Sequence, residues 1–257
     1  MAITLAISGK GGVGKTTVAA LVVRWLKENT SGPILALDAD PDSNLGPMLG
    51  MRVETTIGDL REEVLEQMKN WPAGMSKEAY IQAGLHQLIV EGDGVDLITM
   101  GRGEGGACYC FINNLLRKFA DDLLPSYRFL VMDNEAGMEH LSRRTTTNVD
   151  HLIVVVNDNP MSIDCARRIA TLTASMKRDI RRRYYLINGV RPERLGAAIE
   201  RAAALELEYL GSIPYDPAVE DMVLCGRSVF ALDRCPALDE MDRVMSKIGG
   251  DQWKSRT

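Results

Sequence analysis

Short, continuously apolar runs alternate along the chain with longer stretches in which apolar residues recur every three or four positions. The runs are Ile3 to Ile7, Ile34 to Asp38, Val95 to Met100, Phe129 to Asp133, Leu152 to Val156, Tyr184 to Ile187 and Tyr209 to Ile213, and each reads as a strand. Most lack polar alternation, the pattern of strands covered on both faces. Between the first two, Val18, Leu21, Val22, Trp25 and Leu26 share one side of a helix. Met161 to Met176 and Pro192 to Leu205 are further helices. Asp239 to Ile248 carries an amphipathic stripe, and its mixed charges suit packing rather than a membrane surface. This β–α alternation predicts a mostly parallel sheet of about seven strands flanked by helices on both faces. Only Thr55 to Gly94 breaks the alternation, with helical segments in succession. No linker, repeat or low-complexity block interrupts residues 1–257, so a single domain is expected.

Composition narrows the function classes. With 46% hydrophobic and 25% charged residues, the 257-residue chain is of ordinary globular type. Thirty Lys and Arg against thirty-five Asp and Glu give a net charge of −5, so nucleic acid is a disfavoured partner unless a local patch supplies the charge. Lys177, Arg178 and Arg181 to Arg183 form such a cluster, which reads as a solvated helix end or a dock for an acidic partner. No apolar run approaches the ~20 residues of a membrane span, and the N-terminus runs into a glycine loop without a basic leader. Five cysteines, an odd number, make a disulfide scaffold improbable. The expectation is a cytoplasmic protein with no membrane attachment.

Directly after the first strand comes G-K-G-G-V-G-K-T-T, Gly9 to Thr17, which opens a helix. It satisfies G-x-x-x-x-G-K-[ST] in the strand–loop–helix context that pattern requires. Backbone N–H groups of Gly9, Gly11, Gly12, Val13 and Gly14 would form an anion cradle at the positive end of the helix. Lys15 would reach the β- and γ-phosphates of ATP, the Thr16 hydroxyl would bind Mg²⁺, and Thr17 completes the motif. A glycine-rich turn with a chance lysine is the alternative, disfavoured by the flanking elements.

The second lysine, Lys10, makes the loop resemble the deviant phosphate loop of the MinD/ParA, nitrogenase iron protein and iron–sulfur scaffold superfamily. The resemblance implies a P-loop ATPase fold and a homodimer in which Lys10 crosses to the partner's nucleotide. It extends to D-A-D-P-D-S-N-L, Asp38 to Leu45, where the role of orienting or activating the attacking water falls on Asp40, with Asp42 nearby. A plain Asp-Pro-Ser turn is the alternative. In F-L-V-M-D-N-E-A-G the apolar run leads to Asp133, which looks like a Walker B carboxylate holding Mg²⁺. Gly137 resembles the segment that reads the γ-phosphate, while Glu135 is less securely placed. Asn188, after the sixth strand, matches the superfamily's adenine-reading Asn, and G-S-I-P-Y-D-P, containing Pro214, resembles its final loop over the base. Asn157 is a weaker base contact. Either loop could be an ordinary turn.

G-R-G-E-G-G-A-C-Y-C places Cys108 and Cys110 two apart behind a glycine-rich stretch. Two thiols are half of a closed tetrahedral site, and a two-fold dimer supplies the other half. Buried packing residues or a reactive dithiol are the alternatives. With the phosphate loop, the pair resembles the nickel-accessory ATPases of carbon monoxide dehydrogenase and acetyl-CoA synthase (CooC-like proteins). That resemblance implies Ni²⁺ or Zn²⁺ held between subunits, ATP- and metal-dependent dimerisation, and one of those nickel enzymes as client. Cys165, Cys225 and Cys235 are isolated and read as packing residues. The competing expectation is a ParA/MinD-like ATP-dependent switch acting on nucleic acid or a protein partner.

Overall fold

A computed structural model describes residues 2–67, 76–102, 123–135, 149–174, 180–249 and 253. Each apolar run forms a strand: β1 Ile3–Gly9, β2 Ile34–Ala39, β3 Val95–Thr99, β4 Phe129–Asn134, β5 Val149–Val156, β6 Ile180–Val190 and β7 Glu208–Pro214. They make one sheet in the order β3-β2-β4-β1-β5-β6-β7, and every neighbouring pair is parallel. The helices are α1 Lys15–Asn29, α2 Leu45–Leu49, α3 Ile57–Gln67, α4 Lys77–Gln87, α5 Pro160–Ala174, α6 Pro192–Ala202, α7 Pro217–Leu224 and α8 Pro236–Gly249.

Continuous apolarity has its reason in two cores, one on each sheet face. Leu5, Ile7, Val131, Ile153 and Val155 point into the core shared with Val18, Leu21 and Val22 of α1 and with Met241, Val244 and Met245 of α8. Ala6, Leu130, Met132, Leu152 and Val154 point the other way, onto Ile163 and Ile169 of α5 and Ala198 of α6. Fully burying one such large side chain contributes about 1.5–3 kcal/mol, so both faces are committed to the interior. The amphipathic stripe of α8 lies against β7 and α1. Among the described residues no helix is long and apolar enough to cross a membrane.

Two local expectations change. Arg181 to Arg183 do not end a helix; they begin β6, where His151 lies opposite Arg182 and Leu152 opposite Arg183. Pairing with β5 satisfies this backbone, while Arg181 forms an ion pair with Asp150 at 3.0 Å and Arg183 donates to the Ala170 carbonyl at 3.1 Å. β6 also extends at its other end, to Val190, which puts Asn188 inside it, at a register shift against β7, rather than just after the strand. Lys177 and Arg178 lie outside the described residues.

Candidate functional site

The parallel strands bring their C-terminal ends to one edge, where an open α/β sheet leaves its ligand crevice. The loop from β1 to α1 lies there, and its glycines are required by contact as well as conformation. A Cβ on Gly9 would come within 2.5 Å of the Val155 carbonyl oxygen, and one on Gly14 within 2.4 Å of Asn188 Nδ2. Gly14 also adopts φ 85°, in the left-handed region, immediately before α1 and without a side-chain cap. The first N–H groups of α1 are therefore left for a ligand. Lys15 is 6% exposed, Thr16 and Thr17 are half-buried, and Lys10 is half-buried at the opposite end of the loop.

This loop is the floor of a cavity of about 450 Å³, lined by Gly11, Gly12, Gly14, Lys15, Thr16 and Thr17 and walled by Asp40, Asp42, Met48, Met222 and Arg227. A second cavity of about 230 Å³ adjoins it, sharing Thr17 and Val223, and is lined by Asn188, Pro214, Tyr215 and Asp216. Asn188 Nδ2 donates to the Val13 carbonyl at 2.9 Å, tying β6 to the loop across the sheet.

Three carboxylates converge on the loop with different surroundings. Asp38 is fully buried; its oxygens accept from the Asp40 N–H at 3.2 Å and the Leu45 N–H at 2.9 Å, which folds the turn after β2. Burial pushes its carboxyl up to about 6 despite those two bonds. Asp40 is half-buried and accepts from the Asp42 N–H at 3.0 Å, while Asp42 pairs with Arg102 at 3.2 Å. Asp133 lies opposite both Ile7 and Asp38 in the sheet. It is fully buried, and neither oxygen has a hydrogen-bond partner. Burial raises it to about 7, with Thr16 and Lys15 near enough to pull it back down and Asp38 and Asp40 pushing it up. A buried carboxylate left unpartnered beside a threonine hydroxyl suits a hard divalent cation, so the chemistry of this pair fits Mg²⁺.

The structure thus gathers Gly11, Gly12, Gly14, Lys15, Thr16, Thr17 and Asp40 around one cavity, with Asp133 buried beside Thr16 and Lys15, and Asn188 and Pro214 around the next. Gly137, Cys108 and Cys110 lie outside the described residues. Among the described residues no group of three or more His, Cys, Asp or Glu could hold a metal ion. Cys235 is buried and Cys165 partly so, whereas Cys225 is exposed and does not serve packing. Sequence reasoning missed Asp38 as the turn's anchor, although it opens the same Asp-rich run as Asp40. It also missed Arg227 on the cavity wall and Asp216, whose carboxylate accepts from the Ala218 and Ala237 N–H groups, both at 3.0 Å. An Asp-Pro pair opening a helix was the available signal for Asp216.

Comparison with known proteins agrees with this geometry. The sequence model of the CobQ/CobB/MinD/ParA nucleotide binding domain matches residues 4–229. An uncharacterised ATP-binding protein of Methanocaldococcus jannaschii is 42% identical over 95% of this chain and 96% of its own length. The carbon monoxide dehydrogenase accessory protein CooC of Rhodospirillum rubrum is 29% identical over 98% of this chain and 99% of its own. Among solved structures, the MinC:MinD cell division complex of Aquifex aeolicus superposes with a TM-score of 0.70 at 21% identity, covering 97% of this chain and 96% of that one. The expectation that nucleic acid is a disfavoured partner does not stand. The fold is also that of a plasmid partition protein of Borrelia burgdorferi, with a TM-score of 0.61 at 16% identity over 96% of this chain and 97% of that one. Net charge fixes the mean field around a protein, whereas binding a polyanion depends on a local patch, so −5 excludes nothing. The matched domain, the parallel sheet and the lysine-bearing loop carry one conclusion: the chain belongs to the CobQ/CobB/MinD/ParA nucleotide-binding domain family and is a deviant P-loop ATPase.

Proposed function

We propose that residues 1–257 act as one ATP-operated switch. ATP draws two copies together, the closed dimer engages a nucleic-acid or protein partner, and hydrolysis releases it. The observation that carries this reading is Lys10, a second cation on a loop whose own Lys15 is already buried at the cavity floor. In this reading Lys15 and the N–H groups of Gly9 to Thr17 bind the phosphates. Thr16 and Asp133 would hold Mg²⁺, which offsets phosphate charge when bound. Asp40 orients the attacking water, Gly137 would belong to the segment that reads the γ-phosphate, and Asn188 and Pro214 contact the base. Lys10 from each copy stabilises charge on the other's transferring phosphoryl group, as an arginine finger supplied in trans does. Sedimentation of wild type and Lys10→Ala with ATP and with ADP tests this. The ATP-dependent dimer is expected in wild type alone, with Asp40→Ala binding ATP but losing most hydrolysis. Equal association in all four samples would remove the trans role of Lys10.

A second reading is favoured by the likeness to CooC, which spans nearly all of both chains, together with Cys108 and Cys110 in sequence. Here the closed dimer holds Ni²⁺ (or Zn²⁺) on four thiolates, two from each copy, and assists its insertion into carbon monoxide dehydrogenase or acetyl-CoA synthase. Soft thiolates bind either metal. Nickel titration of wild type and of the Cys108→Ser, Cys110→Ser double variant, with mass measured in parallel, decides it. About one ion per dimer is expected in wild type, as in a closed Cys₄ site. Undiminished binding in the double variant would sink this reading.

A further inference from the structure

We propose that Arg227 is a phosphate-binding residue of this ATPase, held beside the cavity by Asp221 and handed over to the polyphosphate when nucleotide enters. Arg227 follows α7 in a tight turn. The Cys225 N–H donates to the Asp221 carbonyl at 2.9 Å and the Arg227 N–H to the Met222 carbonyl at 2.9 Å, and Gly226 takes φ 61°, in the left-handed region. This turn folds the chain back and sets Arg227 on the cavity wall that faces Lys15 and Thr16. The guanidinium meanwhile donates to the Asp221 carboxylate, at the far end of the same turn.

Membership of one cavity or the other distinguishes a phosphate contact from a base contact. Val219, Glu220 and Leu224 belong to the smaller cavity with Asn188 and Pro214, Met222, Gly226 and Arg227 to the larger one, and Val223 to both. A nucleotide whose phosphates rest on the loop and whose base lies beside Asn188 would span both cavities, with Arg227 in the one that holds the phosphates.

Charge supplies the driving force. The described lining of the larger cavity presents Lys15 and Arg227 as cations and Asp40 and Asp42 as anions, whereas the triphosphate brings several negative charges. The Arg227–Asp221 pair is solvent-exposed, with side chains 51% and 63% accessible, and such pairs contribute little to stability. A planar guanidinium bonds phosphate oxygens in a two-pronged fork, a stronger arrangement than a screened surface pair. Exchange of Asp221 for phosphate therefore loses little and gains a charge-assisted contact.

The inference rests on the phosphate-loop assignment and is independent of which partner the switch serves. Its test is equilibrium binding of ATP and of adenosine to Arg227→Ala, Arg227→Lys, Asp221→Asn and Lys15→Ala. Arg227→Ala should weaken ATP by roughly 10- to 100-fold while leaving adenosine unchanged. Arg227→Lys, which keeps the charge and loses the fork, should recover part of the loss. Asp221→Asn releases the guanidinium and should hold or strengthen ATP affinity. ATP affinity within twofold of wild type in Arg227→Ala, alongside a clear loss in Lys15→Ala, would overturn the role of Arg227 and leave the loop assignment standing. No loss in either variant would overturn both. A parallel fall in adenosine affinity, or a loss in Asp221→Asn equal to that in Arg227→Ala, would mark the pair as structural and reject the proposal.

Discussion

Asp133 is the residue whose environment makes the clearest demand. Its carboxyl moves from the ordinary 3.8 to about 7 because burial disfavours its charge. A group whose folded value is raised contributes stability that is complete below the unfolded value and lost as pH rises through the folded one. The Mg²⁺-free, nucleotide-free protein should therefore lose stability between pH ~4 and ~7, with Asp38, raised to about 6, adding the same sign. His151 has the opposite sign: burial lowers it from 6.5 to about 4, so its contribution is present above 6.5 and lost as pH falls through 4. Above pH 6.5 the carboxylates dominate the slope. Asp133→Asn should raise the melting temperature of the ligand-free protein at pH 8, by an amount on the order of a few kcal/mol in stability. The same variant should lose the stabilisation that Mg²⁺ and ATP together give wild type. A variant no more stable than wild type at pH 8 would mean that the buried charge is compensated.

Among the elements, α7 does more than its eight residues imply. Its start is fixed by Asp216, which is 6% exposed and whose two oxygens bond the N–H groups of Ala218, in α7, and Ala237, in α8. One carboxylate thus caps two helices, and α8 covers the sheet face beside α1. Losing one N-cap costs about 0.5–2 kcal/mol. Asp216→Ala should cost about 1–3 kcal/mol, since two N–H groups, one buried and one half-buried, lose their acceptor together. Denaturant unfolding measures this through the midpoint at constant slope. Asp216→Asn, which keeps one acceptor oxygen, should recover part of the difference. Because α7 walls both cavities, Asp216→Ala should also weaken nucleotide binding. A loss of stability with unaltered ATP affinity would separate the cap from the site.

For the whole molecule, the consequence is linkage between ligands. In the nickel-holding reading one chain would supply only half of a four-thiolate site, so metal and ATP would favour the same closed dimer. Each should then tighten the other's binding by the same factor. Thiolates must form first, so metal affinity should rise with pH and metal uptake should release protons. Nickel titrations at two pH values, with and without ATP, measure both effects. Nickel affinity indifferent to ATP would leave the metal outside the switch.

Local chemistry made the strands, α1, α5, α6, α8 and the phosphate loop legible, because side-chain period and glycine spacing are properties of neighbouring residues. The continuous apolar runs specified a sheet buried on both faces, and Gly9 to Thr17 specified an anion cradle. The order of the strands was not written in any one of them, since it depends on which faces pack together. Tertiary structure alone set the surroundings of Asp38, Asp40 and Asp133, three carboxylates at strand ends. One anchors a turn, one stands half-exposed on the cavity, and one is buried without a partner. It also extended β6 beyond its apolar centre, because pairing with β5 outweighs the charge of Arg181 to Arg183. Contacts such as Asn188 to Val13, 175 residues apart, and Arg227 across from Lys15 arise only when the sheet gathers its C-terminal ends at one edge. Sequence spacing encodes what a residue can bond, and packing decides which neighbour is there to be bonded.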